Sequence, residues 1–373
     1  MPTDARSGSG ESETIAIDAR MIGASGIGTY LTQLLPRVVA GRHQYRFVLL
    51  GPASTLKSLD WTDVPNVRII NVDAPIYSLR EQIAILAAVP WQADLFWSPH
   101  YNIPVGWRGR LAVTVHDLAP LALPDLFPGV HRQAYARFMF RRVSRGADAI
   151  IAPSEFTRGE LERLTGVART QPDVVPLGVD RSWFQVEQSP RPHDKPYLLY
   201  VGNVKPHKNL GRLLQAFSGL QSRISCDLLI LGKKEGLLTP DDEVQTAAND
   251  LGSRVQLLGT VPQDMLKRYV AQAEALVLPS LYEGFGLPPL EAMACGVPTI
   301  VSHAASLPEV CGNAALYCDP HDTNSIAGAM VKVLEDAKLR ETLRCRGLER
   351  ARGFTWERTA EATLNILGRV LAA

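Results

Sequence analysis

ALVLPSLYEGFGLPPLEAMACG, Ala275 to Gly296, is the stretch whose reading decides the fold. The apolar run ALVLPS has the length and composition of a buried strand. LYEGFG breaks it. Pro288 suits the first turn of a helix, where its missing N–H costs nothing. Leu290 to Ala294 are good helix formers, and Gly296 is a natural stop. Strand, glycine loop and helix N-terminus together form the repeating unit of a doubly wound α/β domain. Gly284 and Gly286 let the backbone turn tightly and approach a ligand. The helix N-terminus favours a phosphate there. The two acids of the stretch, Glu283 and Glu291, repel phosphate but accept hydroxyl groups well. A sugar on one side of a diphosphate and a ribose on the other would satisfy both: Glu283 the sugar, Glu291 the ribose. Taken on spacing alone, the same pair also fits a solvated loop acid and an ordinary acid near a helix start.

Outward from this stretch, short apolar runs alternate with amphipathic segments along the whole chain. TIAID, YRFVLLG, VRIINV, LFWSP, LAVTVHD, AIIAPS and DVVPLG fill the first half. YLLYVG, CDLLILG, RVQLLG, ALVLPS, PTIVS and ALYCDP fill the second. This spacing predicts parallel strands with crossover helices. RSWFQVEQSPRPHDKP, 181–196, is polar and carries three prolines, so it is the predicted linker. The expected plan is a flexible tail over 1–13, an N-terminal domain over 14–180, the linker, a C-terminal domain over 197–355 and a final helix over 356–373. Two facing sheets of this kind make a cleft, and ligands sit at the carboxyl ends of the strands.

Composition narrows the function. In 373 residues, 46% are apolar, enough for two full cores. Lys and Arg number 39 against 38 Asp and Glu, which argues against a nucleic-acid partner. Five cysteines without a C-x-x-C pair are expected to be buried free thiols in a reducing compartment. The polar N-terminus MPTDARSGSGESET lacks an apolar core for a signal peptide. No stretch reaches the roughly 18–20 apolar residues of a membrane helix. The expected location is the cytoplasm, with contact to the inner face of a membrane.

With its flanks, PSLYEGFGLPPLEAMACGVPTIVSHAASLPEV resembles the retaining family 4 glycosyltransferases of the GT-B fold, whose signature is an acid pair with this separation. IAIDARMIGASGIGTY is similar to the family's N-terminal strand and glycine loop, TVHDLAPLALPDLFP to its central N-domain motif, YVGNVKPHKNL to its phosphate-binding segment and FTWERTAEATLNILGRVL to its closing helix. The resemblance spans nearly the whole chain. It implies two Rossmann-like domains, with the last helix returning to the first domain. It assigns Lys208, with the backbone of Gly202 and Asn203, to the donor diphosphate; a solvated turn lysine is the alternative for Lys208. Val261 stands where relatives contact the base. Glu283, Gly284, Phe285, Gly286, Leu287 and Glu291 complete the donor site. Many relatives carry an arginine near Asn203 or at His207; this chain does not, so neutralisation falls on Lys208 and the helix end. His116, followed by Asp117, matches the residue near the transferred sugar, against a purely structural strand-end role. Gly26 and Gly28 are placed across the cleft. ASGIGT is not the G-x-G-x-x-G order, and no acid ends the next strand, which disfavours a nicotinamide enzyme.

No Asp-x-Asp occurs in the chain, so no metal site is expected and leaving-group charge is left to Lys208, backbone N–H groups and the helix dipole. Glu283, His116 and Lys208 are the expected catalytic set, without a covalent nucleophile. The resemblance implies retention through an oxocarbenium-like transition state. No cofactor is expected beyond a nucleotide-sugar co-substrate, with GDP-mannose preferred on family frequency. HRQAYARFMFRRVSRGADA, 131–149, reads as a basic helix that either meets anionic lipid or a polyprenyl-diphosphate acceptor, or simply solvates its arginines. WSPHYNIP offers Tyr101 and Asn102, with Asp117, to a glycan acceptor. The rivals are a nucleotide-sugar epimerase, a non-catalytic nucleotide-sugar binder and a phosphorylase-like enzyme. Acceptor-dependent donor turnover separates the first of these; the intact acids and Lys208 speak against the second; a short chain with no evident pyridoxal lysine speaks against the third.

Overall fold

The structure is a computed structural model that describes residues 12–24, 26–186, 190–232 and 242–373. Its thirteen strands are β1 (Glu13–Asp18), β2 (Tyr45–Gly51), β3 (Val67–Asn71), β4 (Leu95–Ser98), β5 (Arg110–Thr114), β6 (Ala149–Ala152), β7 (Asp173–Val174), β8 (Tyr197–Val201), β9 (Asp227–Leu231), β10 (Val255–Gly259), β11 (Ala275–Leu278), β12 (Thr299–Ser302) and β13 (Leu316–Cys318). Each apolar run read from the sequence overlaps one of them. The strands form two parallel sheets, in the orders β3-β2-β1-β4-β5-β6-β7 and β10-β9-β8-β11-β12-β13. β4 and β11 are buried along their whole length, as parallel strands covered on both faces must be. In each sheet the order reverses beside the first strand, at β1/β4 and at β8/β11, the positions at whose carboxyl ends sheets of this kind bind ligands.

The closing helix Trp356–Ala372 buries Trp356, Ala360, Thr363, Leu367 and Val370, a stripe of helical period. It returns to the first domain: Trp356 meets Tyr30 edge-on at 6.2 Å, and Arg37 bonds Glu357 at 3.2 Å. The chain thus crosses between domains twice, and the crossings touch. Val179 N–H donates to the Phe354 carbonyl at 3.0 Å. A methyl group on Gly178 would lie 2.1 Å from the Trp356 nitrogen, so only glycine lets the two segments pass.

Several expectations need correction. β1 begins at Glu13, inside the segment expected as tail, whose first eleven residues lie outside the described ones. The first part of the predicted linker is a packed turn, Arg181–Gln185: Asp180 accepts from the Ser182 N–H, Trp183 is buried, and the Cys295 thiol donates to the Trp183 carbonyl. Two aromatic residues in RSWFQV outweigh its polar flanks. Residues 187–189 of the linker lie outside the described ones. The basic helix runs Val130–Gly146, and Ala149 already belongs to β6. Cys345 is exposed rather than buried.

Candidate active site

The second-domain wall is built at the ends of β8 and β11. After β8 the chain passes Gly202, whose N–H donates to the Leu231 carbonyl, and packs so closely on Gly232 that a methyl group there would sit 1.9 Å from the Gly202 oxygen. The short helical turn Pro206–Lys208 follows. Asn209, at φ 62°, ends it, and its amide donates to the carbonyls of Pro279 and Pro320 at 2.9 and 2.7 Å. The Leu281 N–H donates back to the His207 carbonyl. The β8 and β11 loops are therefore tied together, and Lys208 is delivered to Glu283: its Nζ donates to both carboxylate oxygens at 2.6 Å. Ser280 Oγ donates to Glu283 Oε1 at 2.7 Å. Ser306 Oγ bonds the carbonyls of Glu283 and Phe285, each at 2.9 Å, and fixes the glycine loop from behind.

That loop is also where the domains meet. A methyl group on Gly284 would lie 1.8 Å from the His116 carbonyl oxygen. The Gly284 carbonyl accepts from Ser154 Oγ at 2.7 Å and Thr157 Oγ1 at 3.0 Å, both in the first domain. Glu309 of the second domain accepts from the backbone N–H groups of Glu155 and Phe156, which open the helix Glu155–Thr165. Phe127 stacks on His207 at 5.4 Å. His116 follows β5, stands edge-on to Tyr30 at 4.7 Å, and its Nε2 lies 2.9 Å from the Pro99 carbonyl. A carbonyl only accepts, so Nε2 carries the proton. Burial lowers the His116 pKa against the opposing pull of Asp117, which keeps the ring neutral.

His116, Asp117, Lys208, Glu283 and Gly284 thus converge. Lys205 joins them and was not singled out from the sequence. It stands near Asp117 and the Lys208–Glu283 pair; desolvation lowers its pKa, Asp117 and Glu283 oppose that, and Lys208 reinforces it. The K-x-x-K spacing of Lys205 and Lys208 was the available signal. His207 is buried, and burial, then its lysine neighbours, hold its pKa down to about 2; it is a neutral packing residue.

Other predicted residues are placed differently. The Phe285 ring is buried against Phe354 at 5.8 Å, so only its backbone faces the loop. Gly286, at φ 111°, caps the helix Leu287–Ala294, which begins with Leu287. Pro288 and Pro289 remove two of that helix's N–H groups, so fewer free N–H groups remain at its start. The Glu291 carboxyl has no hydrogen-bond partner among the described residues, and burial pushes it up to about 7, with Lys267 opposing. Val261, in the loop after β10, packs at the edge of the apolar core. Gly26 has φ 63° at the start of the helix Ile27–Val39, and a methyl group on Gly28 would crowd the Ile22 carbonyl at 2.9 Å. Asn102 is fully buried between Glu81 and Tyr135, and Tyr101 stacks on Phe140 at 4.2 Å. Both side chains are tied into the wall of the first domain.

Residues 24–183 match the family described as Glycosyltransferase Family 4, and residues 181–350 match Glycosyl transferases group 1. The chain belongs to the group 1, family 4 glycosyltransferases. O-antigen chain mannosyltransferase B of Escherichia coli is 29% identical over 372 residues, covering 91% of this chain and 95% of that protein. The serotype-specific mannosyltransferase WbdA of Escherichia coli is 30% identical over 291 residues, 73% of this chain but 34% of that longer protein. Sucrose-phosphate synthase from Thermosynechococcus elongatus superposes with a TM-score of 0.78 at 22% identity, covering 96% of this glycosyltransferase and 99% of that chain. Anabaena HepE in complex with UDP-glucose gives 0.75 at 17% identity, covering 95% and 99%. The fold is GT-B.

Proposed function

We propose that this glycosyltransferase moves a mannosyl group from GDP-mannose, with retention, to a lipid-linked or oligosaccharide acceptor during surface polysaccharide synthesis. The Lys208–Glu283 pair facing His116 across the cleft carries this reading, and the O-antigen mannosyltransferase relatives support the choice of sugar. The donor diphosphate replaces Glu283 as the partner of Lys208, while Glu283 turns to a sugar hydroxyl. As the bond from the anomeric carbon to the diphosphate oxygen breaks, its electron pair leaves with the diphosphate. Lys208, Lys205 and the loop N–H groups stabilise the growing negative charge. The acceptor oxygen attacks from the same face, and its proton passes to a diphosphate oxygen. Neutral His116, fixed by Pro99, lies beside the sugar and keeps cationic repulsion away from the oxocarbenium-like centre. No metal or further cofactor enters this scheme.

The test is turnover of GDP-mannose with and without a glycan acceptor, with the product anomer read by NMR. Acceptor-dependent formation of the α-mannoside supports the reading. Acceptor-independent conversion of the donor sugar identifies an epimerase instead.

The first domain also presents exposed Leu79, Ile83, Trp91, Val130 and Phe138, with Arg137, Arg141 and Arg145 solvent-facing on the helix Val130–Gly146. We assign these exposed apolar and basic side chains to contact with an anionic membrane surface, on the cytoplasmic side. No described helix is long and apolar enough to cross a membrane.

A further inference from the structure

The crevice between β1 and β4 holds a buried polar cluster that the donor chemistry does not use. Arg20, just past β1, forks onto Asp18 through Nε and Nη2 at 2.9 and 2.7 Å and reaches Glu81 through Nη2 at 2.5 Å. Glu81 also accepts from the Tyr77 N–H and the Asn102 amide, each at 2.6 Å. His100, past β4, accepts at Nδ1 from the Asn102 N–H at 2.8 Å. Burial, the first of several influences, brings its pKa to about 4, so the ring is neutral and its proton sits on Nε2. Two donors are left over: Arg20 Nη1 and His100 Nε2 are both buried without a partner. Arg20 is 8% exposed and His100 4%. Leaving such groups unmet costs about 1–3 kcal/mol each, so a site that keeps two is built for a ligand that meets them.

Their cover is a half-exposed side chain. Tyr77 stacks on His100 at 5.9 Å and is 46% exposed. Its φ of 65° is a left-handed conformation that a tyrosine rarely adopts, held by the bond from its N–H to Glu81. Tyr101 and Tyr135 lie around it at 6.1 and 6.3 Å. The cluster borders the catalytic cleft, since Asp117 acts on the ionisation of both Tyr77 and Tyr101.

We propose that Arg20 and His100 bind oxygens of the acceptor sugar beneath Tyr77, and that this subsite selects a neutral saccharide over a phosphorylated or carboxylated one. This rests on the glycosyltransferase reading above and names the acceptor class. The selectivity follows from charge. One guanidinium faces two carboxylates, Asp18 and Glu81, and Asp117 lies nearby, so the cluster is net negative and repels an anion. A hydroxyl both accepts from Arg20 or His100 and donates to a carboxylate. The position at the reversal of strand order is where such a sheet binds ligands.

The experiment titrates methyl α-mannopyranoside and mannose 6-phosphate into the full chain saturated with GDP, by ligand-observed NMR. Saturable binding of the neutral hexoside is expected, at least about tenfold tighter than the phosphorylated one. Arg20→Lys, which keeps the charge but loses the free Nη1, and His100→Phe, which keeps the ring, should each weaken hexoside binding at least about tenfold while GDP binding holds; Tm falls in both, since His100→Phe leaves the Asn102 N–H unmet and Arg20→Lys loses the fork onto Asp18. His100→Phe alone decides the matter if Arg20→Lys folds poorly. Absent hexoside binding, preference for mannose 6-phosphate, or equal hexoside binding by wild type and His100→Phe overturns the proposal; the last outcome gives the two donors to buried water. Failure of GDP to bind would instead strike the donor reading, independently of the acceptor result.

Discussion

Lys208 Nζ lies 2.6 Å from both carboxylate oxygens of Glu283, at a site where the lysine side chain is 21% exposed and the glutamate 10%. Each group is the other's counterion in the structure. On the proposed reading the donor diphosphate takes the place of Glu283 at Lys208. Lys208→Met should lower kcat by about 10²–10³ by removing leaving-group stabilisation. Glu283→Gln should reduce transfer to a similar degree with Tm nearly unchanged, because Gln can still accept from Ser280 and Lys208. Wild-type kcat in Lys208→Met, measured with saturating donor, would end the charge-stabilisation role.

Gly284→Ala tests the domain contact. The added methyl would collide with the His116 carbonyl oxygen at 1.8 Å, so the two backbones must separate. The variant is expected to fold, to hold its domains farther apart in small-angle scattering, and to lose most of its transfer activity. An unchanged scattering profile with full activity would mean that this contact is not part of the working state.

Glu291 gives a pH signature. Its carboxyl is raised to about 7 by burial, so the folded chain holds a proton that the unfolded chain releases near pH 4.5. Stability therefore falls as pH rises between those values. Relative to Glu291→Gln, the wild type should lose Tm from about pH 4.5 to about pH 7 and level off above. Donor affinity should run the other way, since ribose hydroxyls bond best to the ionised acid. Parallel Tm curves for the two proteins would remove Glu291 from this role.

Trp356→Ala tests the returning helix. The ring is buried at the crossing of the two domains and against Tyr30. Its removal should cost roughly 3–5 kcal/mol by chemical denaturation. A loss below about 1 kcal/mol would mean that the helix docks without it.

Thirteen strands were legible because parallel strands covered on both faces read as unbroken apolar runs. Glu283 and Lys208 were legible because their loops follow two such runs, and the family pattern supplied their roles. What escaped depended on distant pairing. Arg20 meets Glu81 across 61 positions, and the Gly284 carbonyl meets Ser154 across 130. Neither partner carries a local signal. Phe285 was placed in the donor site by the family resemblance; only the fold shows that its ring turns inward to Phe354. Trp183 was read as linker because prolines and charges surround it, yet burying one indole outweighs them.

The most direct measurement is calorimetric titration of GDP-mannose and UDP-glucose into the wild type and Lys208→Met. The account predicts that GDP-mannose binds the wild type more tightly than UDP-glucose does, and that Lys208→Met weakens it at least about tenfold, as loss of a charge-assisted contact should. Tighter binding of UDP-glucose would contradict the donor assignment, and equal affinity in the variant would contradict the placement of the diphosphate at Lys208.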